Sequence, residues 1–323
     1  MLGSRPVILD QLLEKRLLLL SGKGGVGKSI TGAALALAAS ERGKRTLLVE
    51  VDAPREAARY LGATESGGAI TQLRPTLFTL NLRPQAVMDE YVRHVVKLDM
   101  LARKILDNPI YQRFFAAAPG LKELMVLGKI MVLEEETLGW SRKPRFDLVI
   151  VDAPATGHGL SFLKVPLAAA EAVPVGPIGA NARRILALLR DSRRTALVVV
   201  AIPEEMAVVE AAWFHRLATQ EIGIACAAAV LNAAHERRFT NDEEANVLRL
   251  CAEGATGRLS RDADLGSALG AARRHIRRRK LTQFYEKRLR RDIEAPLVSL
   301  PFLFEDPIGP EALQLLVRRL EAA

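Results

Sequence analysis

Eight consecutive residues, Gly22-Lys23-Gly24-Gly25-Val26-Gly27-Lys28-Ser29, hold four glycines, two lysines and one hydroxyl. They fit the spacing G-x-x-x-x-G-K-[ST]. The apolar run RLLLLS, 16–21, precedes them and SITGAALALAASERG, 29–43, follows, so the loop should join a strand to a helix. Glycines in such a loop let backbone N–H groups turn inward around phosphate oxygens, and the helix N-terminus adds its positive dipole. Lys28 is placed to reach the β- and γ-phosphates of a nucleoside triphosphate, and the Ser29 hydroxyl to ligate Mg²⁺. We take the cradle to comprise Gly22, Gly24, Gly25, Val26, Gly27, Lys28, Ser29 and Ile30. Lys23 is unexplained by that spacing. It sits on the side of the loop away from Lys28, so it is expected to cross to a second subunit's nucleotide and offset charge on the transferring phosphoryl group. A solvated lysine without a role is the bland alternative.

Two carboxylates end apolar runs. Asp52 closes TLLVEVD, 46–52, and Asp152 closes DLVIVD, 147–152. A carboxylate at such a strand end can orient the water that attacks a γ-phosphate, the role expected of Asp52, or merely cap the next helix. Asp152 is expected to hold Mg²⁺ through water. Ser29, Asp52 and Asp152 therefore form the expected metal side of the site, and Lys23, Lys28 and Asp52 its catalytic side.

These residues need a scaffold, and the rest of the chain supplies its pattern. Short, nearly continuous apolar runs recur at 16–21, 46–52, 77–80, 147–152, 196–201, 227–232 and 297–301. Continuous rather than alternating runs suit strands buried on both faces of a parallel sheet. Helical stretches separate them, which predicts an α/β fold with a doubly wound, mostly parallel sheet and right-handed crossovers. Residues 84–140 lack a strand-like run. Val87, Tyr91, Val95 and Leu98 fall on one helical face, as do Leu121, Leu124, Gly128 and Met131. We read one domain over 1–323, with 84–140 as a helical insertion after the third strand and 160–195 contributing to the same helical subdomain at one edge of the sheet.

Composition narrows the function classes. The 323 residues are 49% hydrophobic, 26% charged and 5% aromatic, enough for an aliphatic core. No apolar run reaches the roughly 20 residues of a membrane span, and the start shows no signal-peptide pattern, so a cytoplasmic protein is expected. Cys226 and Cys251 stand far apart without a C-x-x-C pair, so neither zinc nor redox chemistry is expected. The net charge is +9, much of it between 258 and 291. That stretch is read as a solvated helix face, with adhesion to an anionic membrane surface as the alternative. Few aromatics interleave with the basic residues, which argues against nucleic acid.

The loop GKGGVGKS resembles the deviant phosphate loop shared by the Min/Par positioning ATPases, the nitrogenase iron protein and the anion-transporting ATPases. DLVIVDAPATGHGLSFLKVP, 147–166, is similar to the second switch of the arsenite-pump and tail-anchored-protein targeting ATPases, with Thr156-Gly157-His158 as a γ-phosphate sensor. APGLKEL, 118–124, resembles that family's Pro-Gly-x-x-Glu segment near the dimer interface. The resemblance implies an ATP-sandwiched dimer, an adenine-binding amide at Asn232, and an adenine loop at PLVSLPFLFED with Pro301 and Phe302 on the base. ATP and Mg²⁺ are the implied cofactors.

Departures matter too. The first switch reads Asp-Ala-Pro with Arg55 where the family has His. The arsenite pump's metalloid-binding cysteines and the targeting factor's zinc clasp have no counterpart. Four methionines, Met88, Met100, Met125 and Met131, gather in the first helical insertion, either as core or as a reduced groove for a hydrophobic client. Handling a hydrophobic protein segment is the expected purpose, since the helical insertion and the Thr-Gly-His string disfavour a positioning switch and the missing thiols disfavour energising an anion or metalloid transporter, the two alternatives. The partner subunit is an identical copy or a paralogue.

Overall fold

The computed structural model describes residues 8–52, 56–63, 68–96, 99–109, 113, 120–139, 142–254, 263–305 and 307–323. Eight strands form one sheet: β1 (Leu17–Ser21), β2 (Thr46–Val51), β3 (Thr71–Arg74), β4 (Leu77–Leu82), β5 (Leu148–Asp152), β6 (Thr195–Ala201), β7 (Cys226–Ala234) and β8 (Leu297–Pro301). Their order is β3-β4-β2-β5-β1-β6-β7-β8. Every pairing is parallel except β3 with β4. Chain order reverses around β1, and the loop after β1 therefore opens at the switch point where α/β sheets bind ligands.

The seven apolar runs are all strands. Alternate residues of each feed opposite layers: Leu17 and Leu19 face one core, Leu18 and Leu20 the other. The eighth strand, β3, escapes the sequence reading because its residues, TQLR, alternate between half-buried and exposed and bury no apolar run. The first helical insertion thus follows the fourth strand.

One layer holds α1 (Ile8–Leu13), α2 (Lys28–Glu41), α3 (Glu56–Tyr60) and, placed last in the chain, Pro310–Glu321. Between them in sequence lie α4 (Pro84–Val96), α5 (Asp99–Leu106), α6 (Leu121–Glu135), α7 (Thr156–Ala172), α8 (Pro177–Arg190), α9 (Glu205–Leu217), α10 (Asn241–Gly254) and α11 (Ala263–Asp292), so the Pro310 helix is α12. The other layer is built on α6, α7, α8, α9 and the end of α11.

That layer corrects the edge placement. Leu124, Leu127, Ile130, Phe162, Leu163, Ile185 and Leu189 pack in one cluster with β1, β2, β4, β5 and β6, over the face of the sheet. These helices bury large aliphatic side chains that an edge position would leave wet. Only α4 and α5 make a separate small cluster, Met88, Val92 and Leu106, leaning on Leu121 and Met125. Tyr91 is 42% exposed while Met88 and Val92 turn inward, so the apolar face of α4 is rotated from the one expected. The side chain of Val95, Leu98 and the Ala118-Pro119 pair lie outside the described residues.

Met88 and Met131 are buried and Met125 is packed against the core, leaving Met100 as the exposed member of the four. Three of the four methionines therefore serve packing. A buried ionic knot fixes α6. Glu134, fully buried, accepts from Arg16 Nε at 2.9 Å and pairs with Arg194, while Arg16 also donates to the Glu134 carbonyl. Among the described residues no helix is long and apolar enough to cross a membrane.

Candidate functional site

The loop between β1 and α2 needs its glycines for stated reasons. Gly25 and Gly27 have φ of 80° and 87°, a region that favours glycine. A Cβ on Gly22 would lie 2.1 Å from the Val200 carbonyl oxygen, and one on Gly27 would lie 2.0 Å from Asn232 Nδ2. The loop is thus pressed onto the ends of β6 and β7. Asn232 Nδ2 donates to the Val26 carbonyl at 3.0 Å. Next to it Ala233 has φ 54°, and the β7–β8 register shifts between Leu231 and Ala234. This bulge marks a strand end that aims a side chain. Asn232 therefore braces the loop from below.

Lys28 opens α2 and folds over the loop. Its Nζ donates to the carbonyls of Gly22 at 3.2 Å and Lys23 at 3.1 Å. Ser29 Oγ donates to Asp152 Oδ2 at 2.6 Å. Burial lowers the Lys28 pKa, with Asp152 opposing the shift. Burial raises the Asp152 pKa, against the Ser29 hydrogen bond and the Lys28 charge. Each charge is short of solvent, and each would gain from a ligand of opposite sign.

Asp152 Oδ1 is buried and has no hydrogen-bond partner among the described residues. Such an orphaned oxygen calls for a ligand. A hard cation fits: Mg²⁺ takes oxygen donors, commonly one or two carboxylates, a hydroxyl and phosphate oxygens. Ser29 and Asp152, with Asp52 in the same cavity, are the residues that would hold it, and it would supply neutralisation of phosphate charge.

Gly25, Lys28, Ser29, Asp52 and Asp152 line one cavity of about 560 Å³, together with Glu56, Lys122, Glu123, Val126 and Phe162. Asp52 sits exposed at its rim with φ 49°, its N–H donating to the Leu82 carbonyl at 3.0 Å. A non-glycine residue in that region marks local strain, and strain of this kind gathers at functional sites. Arg55 lies outside the described residues. Ile30 is buried in α2 and Val26 in the loop, so both support the cradle from inside.

Sequence reasoning missed Glu50 and Lys122, and it placed Glu123 in a segment near the dimer interface without assigning it to this cavity. Glu50, buried in β2 beside Asp152 in the β2–β5 register, accepts the N–H groups of Ala57 at 2.9 Å and Ala58 at 3.3 Å. It thereby anchors α3 to the strand that carries Asp52, and burial raises its pKa. Its only signal was an acidic residue interrupting an apolar run. Lys122 and Glu123 reach the cavity from the first turn of α6, whose N-cap Gly120 has φ 77°.

Across from them α7 begins at Thr156, directly after the cavity-lining Ala153-Pro154-Ala155. Gly159 lies in its first turn, where a Cβ would meet the Pro154 carbonyl oxygen at 2.8 Å and Ser21 Oγ at 3.1 Å. The side chains of Thr156 and His158 lie outside the described residues.

Lys23 Nζ pairs with Glu210 Oε1 of α9 at 3.1 Å. Pro301 and Phe302 do not line the cavity. The Phe302 N–H donates to the Ala234 carbonyl at 2.9 Å, and its ring stacks on His235 at 4.8 Å. Burial pushes the Cys226 thiol up to about 12.

The model of a family described as anion-transporting ATPase matches residues 15–174. The ATPase BagA of Mycobacterium tuberculosis is 31% identical over 216 residues, which cover 62% of this chain and 60% of that protein. The arsenical pump-driving ATPase of Escherichia coli is 28% identical over 216 residues, 61% of this chain and 36% of that protein. The ATPase GET3C of Arabidopsis thaliana is 27% identical over 167 residues, 47% of this chain and 42% of that protein. The match to each relative spans less than two thirds of that relative's length.

Proposed function

We propose, from the match of residues 15–174 to the model of the anion-transporting ATPase family, that this chain is a Mg²⁺-dependent ATPase of that kind working as an ATP-sandwiched dimer. The carrying observation is the Ser29–Asp152 pair at 2.6 Å, with Asp152 Oδ1 left orphaned directly beside Lys28 and the glycine loop. In this reading the loop N–H groups and Lys28 take the phosphates, and Asp52 at the cavity rim aligns the attacking water. Asn232, Pro301 and Phe302 receive the adenine. Lys23 leaves its own protomer to reach the partner's nucleotide.

Hydrolysis then changes the fit between two subunits, and α7, which starts at the cavity, carries that change toward α8. Val173, Val175 and Ile178, on and between these helices, are 38%, 82% and 49% exposed. They favour a hydrophobic protein segment as the client over a metalloid, for which the described residues gather no cysteine cluster. The cytoplasm is the proposed compartment.

The test is phosphate release and molar mass measured together. Magnesium and ATP should double the mass, and Lys23→Ala should remove most turnover while leaving ATP bound. A chain that stays monomeric with ATP, and whose turnover ignores Lys23, contradicts the proposal.

A further inference from the structure

We propose that the outer edge of the sheet carries a second binding site, between β8, α11 and α12, for a small organic anion bearing phosphate or carboxylate groups. The inference is independent of the ATPase and dimer readings above. A cavity of about 390 Å³ lies there, a size that suits one small molecule. Its floor is β8, the last strand of the sheet. Arg279, Glu286 and Arg290 wall it from α11, Arg319 from α12, and His235 with Arg237 from the loop that follows β7. It shares no lining residue with the phosphate cavity.

Three buried polar atoms in this lining have no hydrogen-bond partner among the described residues: His235 Nδ1, Arg279 Nε and Ser299 Oγ. A buried polar atom left unbonded is costly and calls for an occupant, and here three meet in a single cavity. His235 is only 6% exposed, so bulk water does not serve it. The backbone of β8 adds donors. The Ala229 N–H donates to the Pro296 carbonyl at 2.8 Å. By the alternation of a parallel ladder, the N–H groups of Leu297 and Ser299 then point away from β7, to the free edge. Leu297 packs in the layer that holds the end of α11, while Val298 and Leu300 face the other layer. Ser299 shares the face of Leu297, which turns its hydroxyl toward α11 and Arg279.

Charge selects the ligand. Arg290 is matched by Glu286 at 3.0 Å and Arg319 by Glu236. Arg237 donates to two neutral acceptors, the Phe239 carbonyl at 2.8 Å and Asn241 Oδ1 at 2.6 Å. Four guanidinium groups thus line the cavity with two glutamates, and the cations stay in excess even if the carboxylate of Ala323, at one end, is counted. Guanidinium forks hold phosphate and carboxylate oxygens through paired N–H groups. Leu297, Val298 and Pro301 leave an apolar strip beside them for a carbon skeleton. An extended peptide fits worse, because β8 has only five residues and its Pro301 has no N–H to pair with an added strand.

The test is calorimetric titration of the full-length chain with pyrophosphate and with citrate, at fixed ionic strength and without nucleotide or magnesium. It is run on wild type and on Lys28→Ala, in which the phosphate loop has lost its cation. In both, one equivalent of at least one of these anions should bind at the sheet edge and raise the melting temperature. Arg279→Gln and, separately, Ser299→Ala should each weaken that binding about tenfold or more, the scale of a hydrogen bond to a charged group. Arg277→Gln, exposed on the same helix, should leave it unchanged. Binding of pyrophosphate alone names a phosphorylated ligand, and of citrate alone a polycarboxylate. Equal binding by the wild-type, Arg279→Gln and Ser299→Ala chains overturns the inference, and so does loss of all binding in Lys28→Ala. Hexaglutamate binding where neither small anion does assigns the cavity to an acidic peptide and overturns it too. No heat and no melting shift leaves the cavity to water, which overturns it as well.

Discussion

Lys28 and Asp152 are two buried charges whose partners within the protein do not restore what water would give. Burial holds the Asp152 carboxyl above its ordinary pKa. Between the ordinary and the raised value the folded chain binds more protons than the unfolded one, so stability falls as pH rises through that window. Asp152→Asn removes the ionisation. The nucleotide-free variant is expected to melt higher than wild type at neutral pH, to lose that pH dependence, and to lose the magnesium dependence of nucleotide binding. Calorimetry across pH, with and without metal, checks all three.

Asp52 sits at the rim and makes the opposite prediction. Asp52→Asn should keep ATP binding while hydrolysis falls about 10²-fold or more, the usual scale for a group that handles the attacking water. At this scale much was legible in the residues themselves. The glycines, Lys28, Ser29 and Asp152 announce themselves because phosphate chemistry needs those types at those spacings. Glu50 did not, since its work is to hold two backbone N–H groups, and no spacing encodes that. The bracing contact of Asn232 was equally invisible, because it depends on a backbone bulge at Ala233.

Among the elements, α6 bears the most on the site after α2. It carries Lys122 and Glu123 to the cavity at one end and Glu134 to the ionic knot at the other. Glu134→Ala would leave the paired ends of Arg16 and Arg194 beside a buried hole. Removing one member of such a knot costs about 3–5 kcal/mol. Because both arginines stay partly exposed, the lower end is expected, read as a lowered denaturation midpoint in urea with an unchanged slope. The strand–helix alternation was legible because β1, β2, β5 and β6 are buried on both sides and read as unbroken apolar runs. The knot was not, since Arg16, Glu134 and Arg194 are far apart in sequence and meet only through the parallel register. The short polar strand β3 and the true inward face of α4 were hidden for a related reason: tertiary packing, and not periodicity, chose them.

For the whole molecule, the sandwich makes a quantitative demand. If each protomer lends Lys23 across the interface, a Lys23→Ala chain keeps a competent pocket and an Asp52→Asn chain keeps a lendable lysine. Mixed in equal amounts, random pairing places one working site in half of all dimers, and turnover should recover to about a quarter of wild type. Two chains that act alone would show no recovery when mixed.

One proline bears on how that assembly moves. Pro166 lies inside α7 and offers no N–H to the turn before it, so the helix is missing a rung partway along. Its first part begins at the cavity and supplies Phe162 to the wall, while its second part lies along α8. A helix weakened there bends more easily than it slides. A small displacement at the cavity end would then swing the first part about a resting second part, and Pro166→Ala would stiffen the rod and join the two.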